Sequence, residues 1–289
     1  MAAAYDDRDG KIWMDGALVD WRDANVHILT HAMHYASSVF EGERCYSGKI
    51  FKSRLHSERL IKSGKLIDFD IPFTVDEIEA AKQAALDANG LKDAYVRAVA
   101  WRGAGPDMGV ASSHNPVHMA VACWEWGNYY GDAKTKGAKL DIAKWKRPSP
   151  ETAPSQAKAA GLYMIATMSK HAAEAKGCSD AMMFDYRGYV AEATGANIFF
   201  VKDGEVHTPT PDAFLNGLTR QTVIGMLQEK GVKVHERHIM PEELEGFEQA
   251  WLTGTAAEVT PIGQIGDYNF EVGKLVQDLA ADYEKLVRA

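Results

Sequence analysis

Four short segments of this 289-residue chain carry side chains that could do amine chemistry. Lys158 lies in Ser155-Gln156-Ala157-Lys158-Ala159. Downstream come Glu192-Ala193-Thr194-Gly195-Ala196-Asn197, then Gly217-Leu218-Thr219-Arg220, then Thr253-Gly254-Thr255-Ala256-Ala257-Glu258. Together they offer an amine, a carboxylate and two polar turns with backbone N–H donors. Those are the parts that pyridoxal phosphate requires: a Schiff-base lysine, an acid for the pyridine nitrogen and a cradle for the phosphate.

Taken singly, each part has a plainer explanation. A lysine is usually a solvated surface charge. Lys158, however, has the small neighbours Ala157, Ala159, Ala160 and Gly161, and an amphipathic helix with Leu162, Ile165, Ala166 and Ser169 on one face should follow. That setting favours partial desolvation, which frees an amine for nucleophilic work. Gly217-Leu218-Thr219 alone is a capped helix start; beside a phosphate its N–H groups and dipole become binding groups. The ordered set carries the reading.

The elements that must position these groups read as follows. Ile12–Val19 and Arg44–Phe51 are hairpins turning at Asp15-Gly16 and Ser47-Gly48. A helix is expected from about His56 to Leu66. Thr74 and Glu77 form a capping box for a second helix that buries Ile78, Ala81, Ala85 and Leu86 and ends at Gly90. Ala94–Trp101 and Val117–Trp126 are strands. A glycine-rich polar stretch, 127–137, reads as a linker. After it come a strand near 138–145, a helix near 160–176, hairpins at Arg187-Gly188 and Asp203-Gly204, an apolar strand from Gln249 to Leu252, and helices over about 219–230 and 273–287. The implied division is residues 1–126, the linker 127–137, and residues 138–289.

Composition narrows the function. A net charge of −8 argues against nucleic acid or an anionic membrane as partner. No apolar run is long enough to span a bilayer, and the N-terminus lacks the features of a secretory signal. Three widely spaced cysteines suggest neither a disulfide scaffold nor a zinc site, so a reducing cytoplasm is expected.

The chain resembles the branched-chain amino-acid aminotransferases, which are fold-type IV pyridoxal-phosphate enzymes. Beyond the four segments above, the resemblance rests on His34-Tyr35-Ala36-Ser37-Ser38-Val39-Phe40-Glu41-Gly42, His56-Ser57-Glu58-Arg59-Leu60, Tyr95-Val96-Arg97, Gly109-Val110 and Trp126-Gly127-Asn128-Tyr129. It implies an α+β fold of two domains, a smaller α/β domain and a larger pseudo-barrel that binds the cofactor. It also implies a homodimer or higher homo-oligomer.

Roles follow from the resemblance, position by position. Lys158 would carry the cofactor and act as the general base. Arg59, Leu218, Thr219 and Thr255 would hold the phosphate, Tyr163 the phenolic oxygen and Glu192 the ring nitrogen. Tyr95 and the backbone of Thr255 and Ala256 would hold the substrate α-carboxylate. Phe40, Gly42, Tyr35, Tyr129 and Val110 would form the side-chain pocket, with Tyr35 and Val110 reaching in from a second subunit. Arg97 would answer the second carboxylate of glutamate; its spacing of two puts it on the same strand face as Tyr95. The implied reaction is ping-pong transamination of leucine, isoleucine or valine with 2-oxoglutarate, giving 2-oxo acids and L-glutamate. Departures from the usual pattern are Ala36-Ser37 for glycine-threonine, Leu162 for asparagine, Ala196 for glutamate, and a variant loop at 148–152.

Rival readings remain open at this point. D-amino-acid aminotransferases, (R)-selective amine transaminases and aminodeoxychorismate lyases share the fold, and Tyr95-x-Arg97 favours the branched-chain reading over them. A metal site could use His27, His31 and His34, or His114 and His118. The first cluster lies in an extended-looking segment and the second precedes Asn115-Pro116, so no metal is expected. A binding protein that lost the chemistry is the third class; Lys158, Glu192 and Arg59 argue against it.

Overall fold

The structure is a computed structural model that describes residues 4–126 and 136–289. Tyr129 and all of the expected linker up to residue 135 lie outside the described residues. By internal contacts the chain divides into two units, Met1–Gly127 with Ala157–Gly161, and Asn128–Gln156 with Leu162–Ala289.

The first unit is built on an antiparallel sheet of seven strands: β1 Lys11–Met14, β2 Ala17–Asp20, β3 Ser38–Phe40, β4 Glu43–Tyr46, β5 Lys49–Ile50, β6 Ala94–Arg102 and β7 Val117–Glu125. Their order is β2-β1-β7-β6-β4-β5, with β3 also pairing β6. Both expected hairpins form, at Asp15-Gly16 and Ser47-Gly48. The helices are α1 His31–Tyr35, α2 Ser53–Leu66 and α3 Val75–Asn89. The Thr74–Glu77 capping box closes reciprocally at the start of α3, worth about 1 kcal/mol. Ile78, Ala81, Ala85 and Leu86 are all buried, so the helical stripe read from sequence is the face that packs on the sheet. Burying each of the two large ones is worth roughly 1.5–3 kcal/mol.

One sequence expectation needs correction here. The segment from His27 to His34 read as extended, yet residues 31–35 form one helical turn. Ala36 ends it in the left-handed region, φ 55°, with its N–H on the Ala32 carbonyl. So short a helix shows no hydrophobic period, and no glycine marks its end.

The second unit closes into a barrel. Its strands are β8 Ala138–Ile142, β9 Asp180–Phe184, β10 Val190–Ala193, β11 Asn197–Lys202, β12 Glu205–Pro209, β13 Val234–Arg237, β14 Gln249–Gly254, β15 Glu258–Ile265 and β16 Tyr268–Asn269. The path β10-β9-β8-β15-β14-β11 returns on itself because β10 also pairs β11, through Glu192 and Asn197. Closure leaves these six strands without an edge. Leu140, Met182, Ile198, Phe200, Leu252 and Ile262 belong to one buried cluster. The helices are α4 Met164–Glu174, α5 Leu218–Glu229 and α6 Lys274–Arg288. A 3-10 turn, Ala160–Tyr163, precedes α4, so the expected helix near 160 begins as a tighter turn. Among the described residues, no helix is long and apolar enough to cross a membrane.

Candidate active site

Each unit carries its own group of candidate residues. In the first unit, Lys158 is half-buried and held at the edge of β3. Its backbone N–H donates to Ser63 Oγ at 3.0 Å, and its carbonyl accepts from Phe40 N at 3.1 Å. Its Nζ lies 4.9 Å from the centroid of the Phe40 ring. The Arg97 guanidinium lies over the same ring at 4.7 Å. Arg97 Nη2 donates to Tyr95 Oη at 3.1 Å, while its buried Nε finds no hydrogen-bond partner among the described residues. Tyr95 and Arg97 share a face of β6, as their spacing requires.

Gly42 makes the Tyr95 position possible. A Cβ there would meet Tyr95 Oη at 2.0 Å, so no other residue fits without displacing the phenol. The ring of Tyr95 stacks on Trp124, centroids 5.1 Å apart, and packs against Trp126 at 4.5 Å. Sequence reasoning missed Trp124 as a wall; its signal was the cross-strand register that sets Trp124 opposite Tyr95.

Arg59 projects from α2 and donates from Nε and Nη2 to both oxygens of Glu41, at 2.7 and 2.8 Å. Glu41 is fully buried and also takes a 2.6 Å bond from His56 Nδ1. Burial is the largest single influence and raises this carboxyl, but the attraction and hydrogen bonds of Arg59 and His56 together outweigh it and hold Glu41 far below the usual carboxylate range. Burial lowers His56, which keeps the imidazole neutral. The Tyr35 hydroxyl donates to the Met108 carbonyl, and Val110 is 76% exposed.

In the second unit the barrel register aligns the groups. Asn197 of β11 sits opposite Glu192 of β10 on one side and Thr253 of β14 on the other. Glu192 is buried. Asn197 Nδ2 donates to Glu192 Oε2 at 3.1 Å, and Arg147 Nε lies 3.2 Å from Glu192 Oε1. The other side of the Asn197 amide accepts from Gly217 N at 3.1 Å. One amide thus ties the acid to the start of α5. A Cβ on Gly217 would meet Asn197 Oδ1 at 2.3 Å, so glycine is needed for that approach. No side chain caps α5, and Leu218 and Thr219 form its first turn.

Thr255 and Ala256 lie in the turn between β14 and β15. Ala256, Tyr163, Thr194 and Ala196 line a cavity of about 200 Å³ that also reaches Lys170 and Asp180. Arg147 and Asn197 were not singled out in sequence; only the Asn197 position within the glutamate segment hinted at a role.

Three of the histidines weighed as metal ligands hydrogen-bond to other groups of the protein. His31 contacts Ser37 Oγ and the Val110 carbonyl, His34 the Ile28 carbonyl, and His118 Asp15. Among the described residues one other trio could hold an ion, Glu205, His207 and His235. Its two imidazoles stack at 4.8 Å and 11°, so their in-plane lone pairs run nearly parallel. Arg237 Nε also donates to His207 Nδ1.

The family model for amino-transferase class IV matches residues 38–265. The branched-chain-amino-acid aminotransferase of Pseudomonas aeruginosa is 40% identical over 273 residues, 93% of this chain and 89% of that one. The branched-chain aminotransferase from Thermoproteus uzoniensis, solved with norvaline, superposes with a TM-score of 0.92 at 36% identity, covering 96% of this chain and 94% of that one. The T.th. branched-chain amino acid aminotransferase, complexed with N-(5'-phosphopyridoxyl)-L-glutamate, gives 0.92 at 35% identity, with 97% and 95% covered. The barrel, the ordered motifs and these matches agree: the chain belongs to the class IV aminotransferases, within the branched-chain-amino-acid aminotransferase family.

Proposed function

We propose that the chain transfers the amino group of leucine, isoleucine or valine to 2-oxoglutarate, with pyridoxal phosphate as cofactor, in two successive half-reactions. The observation that carries this reading is the Phe40 ring, which has Lys158 Nζ and the Arg97 guanidinium both within 5 Å of its centroid. An amine, an apolar wall and a fixed cation share one place. Aliphatic side chains suit the wall, and the distal carboxylate of glutamate suits the cation. Similar proteins solved with norvaline and with a phosphopyridoxyl-glutamate adduct support both halves.

The residues present fit the cofactor. An uncapped helix start at Gly217 offers N–H groups and dipole to a phosphate dianion. A buried carboxylate at Glu192, steadied by Arg147 and Asn197, suits a protonated pyridine nitrogen. Bound there, pyridoxal phosphate supplies an aldehyde that condenses with amines and a ring that takes up the electron pair released at the substrate Cα.

In this reading Lys158 Nζ would hold the cofactor through its aldehyde, and as a free amine would act as the general base for the substrate Cα proton. Glu192 keeps the ring nitrogen protonated. Tyr163 donates to the phenolic oxygen, and Arg59, Leu218, Thr219 and Thr255 hold the phosphate. Tyr95 and the N–H groups of Thr255 and Ala256 orient the α-carboxylate. The side-chain pocket takes Phe40, Gly42 and Tyr129, with Tyr35 and Val110 contributed by a second copy in a cytoplasmic homodimer or higher homo-oligomer. The exposure of Val110 supports that role.

Steady-state assays with 2-oxoglutarate as acceptor test the reading. Glutamate formation from L-leucine, with D-alanine and (R)-1-phenylethylamine far slower, is expected. Preference for either rival donor would move the function to a neighbouring activity on the same fold.

A further inference from the structure

The Arg59 guanidinium is fixed by a buried assembly that the mechanism above does not use. Glu41 lies between β3 and β4, and its N–H is tied to the Ala98 carbonyl of β6 at 2.8 Å. Its carboxylate is fully buried and receives three donors: Arg59 Nε, Arg59 Nη2 and His56 Nδ1, at 2.7, 2.8 and 2.6 Å. His56 and Arg59 are three residues apart on α2, so they share a helix face. An ionised carboxylate only accepts, so the proton of neutral His56 sits on Nδ1. Two parallel N–H···O bonds fix the plane of a guanidinium as one bond cannot.

We propose that Glu41 and His56 are positioning residues for phosphate recognition: Glu41 orients the Arg59 guanidinium, and His56 fixes Glu41. Glu41 contributes orientation rather than charge. With His56 neutral, the Glu41 and Arg59 charges sum to zero, so deleting the Glu41 charge makes the assembly more positive. If charge ruled, Glu41→Gln would bind phosphate more tightly. If orientation rules, it binds phosphate less tightly, because the amide offers Arg59 one acceptor and turns an N–H donor toward it.

The inference rests on the reading of Arg59 as a phosphate clamp, and the test separates the two. Dissociation constants of pyridoxal phosphate and of pyridoxal, which lacks the phosphate, are measured by cofactor absorbance on the full chain. The quantity read is their ratio. Arg59→Ala is expected to cut the preference for the phosphorylated form by about 30-fold or more, and Glu41→Gln by about 10-fold with pyridoxal affinity changed by less than about 2-fold. The double variant should match Arg59→Ala alone, since one group acts through the other. A merely structural role would weaken both ligands together.

His56→Leu, which removes one donor to Glu41, should lower the ratio about 3-fold, and His56→Gln, which keeps an N–H donor, should restore it. These two variants carry the same test if Glu41→Gln does not fold. An unchanged or raised ratio in Glu41→Gln, equal losses for both ligands, or additive effects in the double variant would overturn the positioning role alone. No effect of Arg59→Ala would instead overturn the phosphate reading of Arg59, and the positioning role with it.

Discussion

The first unit holds its cations with other side chains, whereas the second holds its acid and helix start through strand register. Arg59 is gripped by a buried carboxylate, and Arg97 lies between a phenol and an apolar ring. Glu192 and the start of α5 are instead joined by Asn197, whose place follows from the pairing that closes the barrel. Side-chain pairs depend on protonation and tolerate few polar substitutions. Register depends on backbone approach and is broken by a single added carbon. The two regions should therefore fail in different ways.

The largest effect expected belongs to neither kind of scaffold. Lys158→Ala removes the amine itself and should lower kcat by about 10⁴-fold or more while thermal unfolding stays near that of the unaltered chain. Turnover near the original level would refute the role given to Lys158. Glu192→Gln keeps the volume and the Asn197 contact but removes the charge, and should cost about 10²-fold or more in kcat. A loss confined to KM would assign Glu192 to binding instead.

Arg97→Met sharpens the side-chain half of the comparison. It should lower kcat/KM for glutamate by about 10–100-fold, the worth of a charged hydrogen bond, and that for leucine by only a few fold. Equal losses for both substrates would mean that Arg97 supports the fold. Gly217→Ala probes the register half. The backbone φ of −63° accepts alanine, but the new Cβ would meet Asn197 Oδ1. Displacing that buried amide should cost about 1–3 kcal/mol and loosen pyridoxal phosphate and Glu192 function together. Unchanged cofactor affinity would show that Asn197 does not couple the two.

The smallest effect expected is on stability against pH. The folded-state pKa of Glu41 lies below its ordinary value of 4.5. Its contribution is thus present above about pH 4.5 and is lost as the pH falls toward the folded value. Urea midpoints should drop on acidification below that point, and Glu41→Gln should flatten the drop. A variant with the original slope would assign the acid sensitivity elsewhere.

Much of this was legible in the sequence because particular signals are local. The Thr74–Glu77 capping box, the Asp15-Gly16 and Asp203-Gly204 hairpins and Gly90 after α3 each encode a turn or a cap within a few residues. The closure of the barrel came only through the family resemblance, which implied a pseudo-barrel, and from no local signal. Strand β15, Glu258–Ile265, contains Pro261 and pairs with β8, more than a hundred residues away, so nothing nearby announces it. The same holds for the site. Lys158 and Glu192 stand out through their neighbours, but Glu41 and His56 look like any acid and any histidine. Only packing shows that both are buried against Arg59. Arg147 is likewise silent until β9 brings Asp185 beside it and Glu192 within reach.

The most direct test of the central claim is the visible spectrum of the purified chain during stoichiometric addition of L-leucine and then 2-oxoglutarate. The account predicts that the band of bound pyridoxal phosphate fades with L-leucine and returns with 2-oxoglutarate. A chain that cannot be reconstituted with pyridoxal phosphate, or one whose band fades only with D-alanine or (R)-1-phenylethylamine, would contradict it.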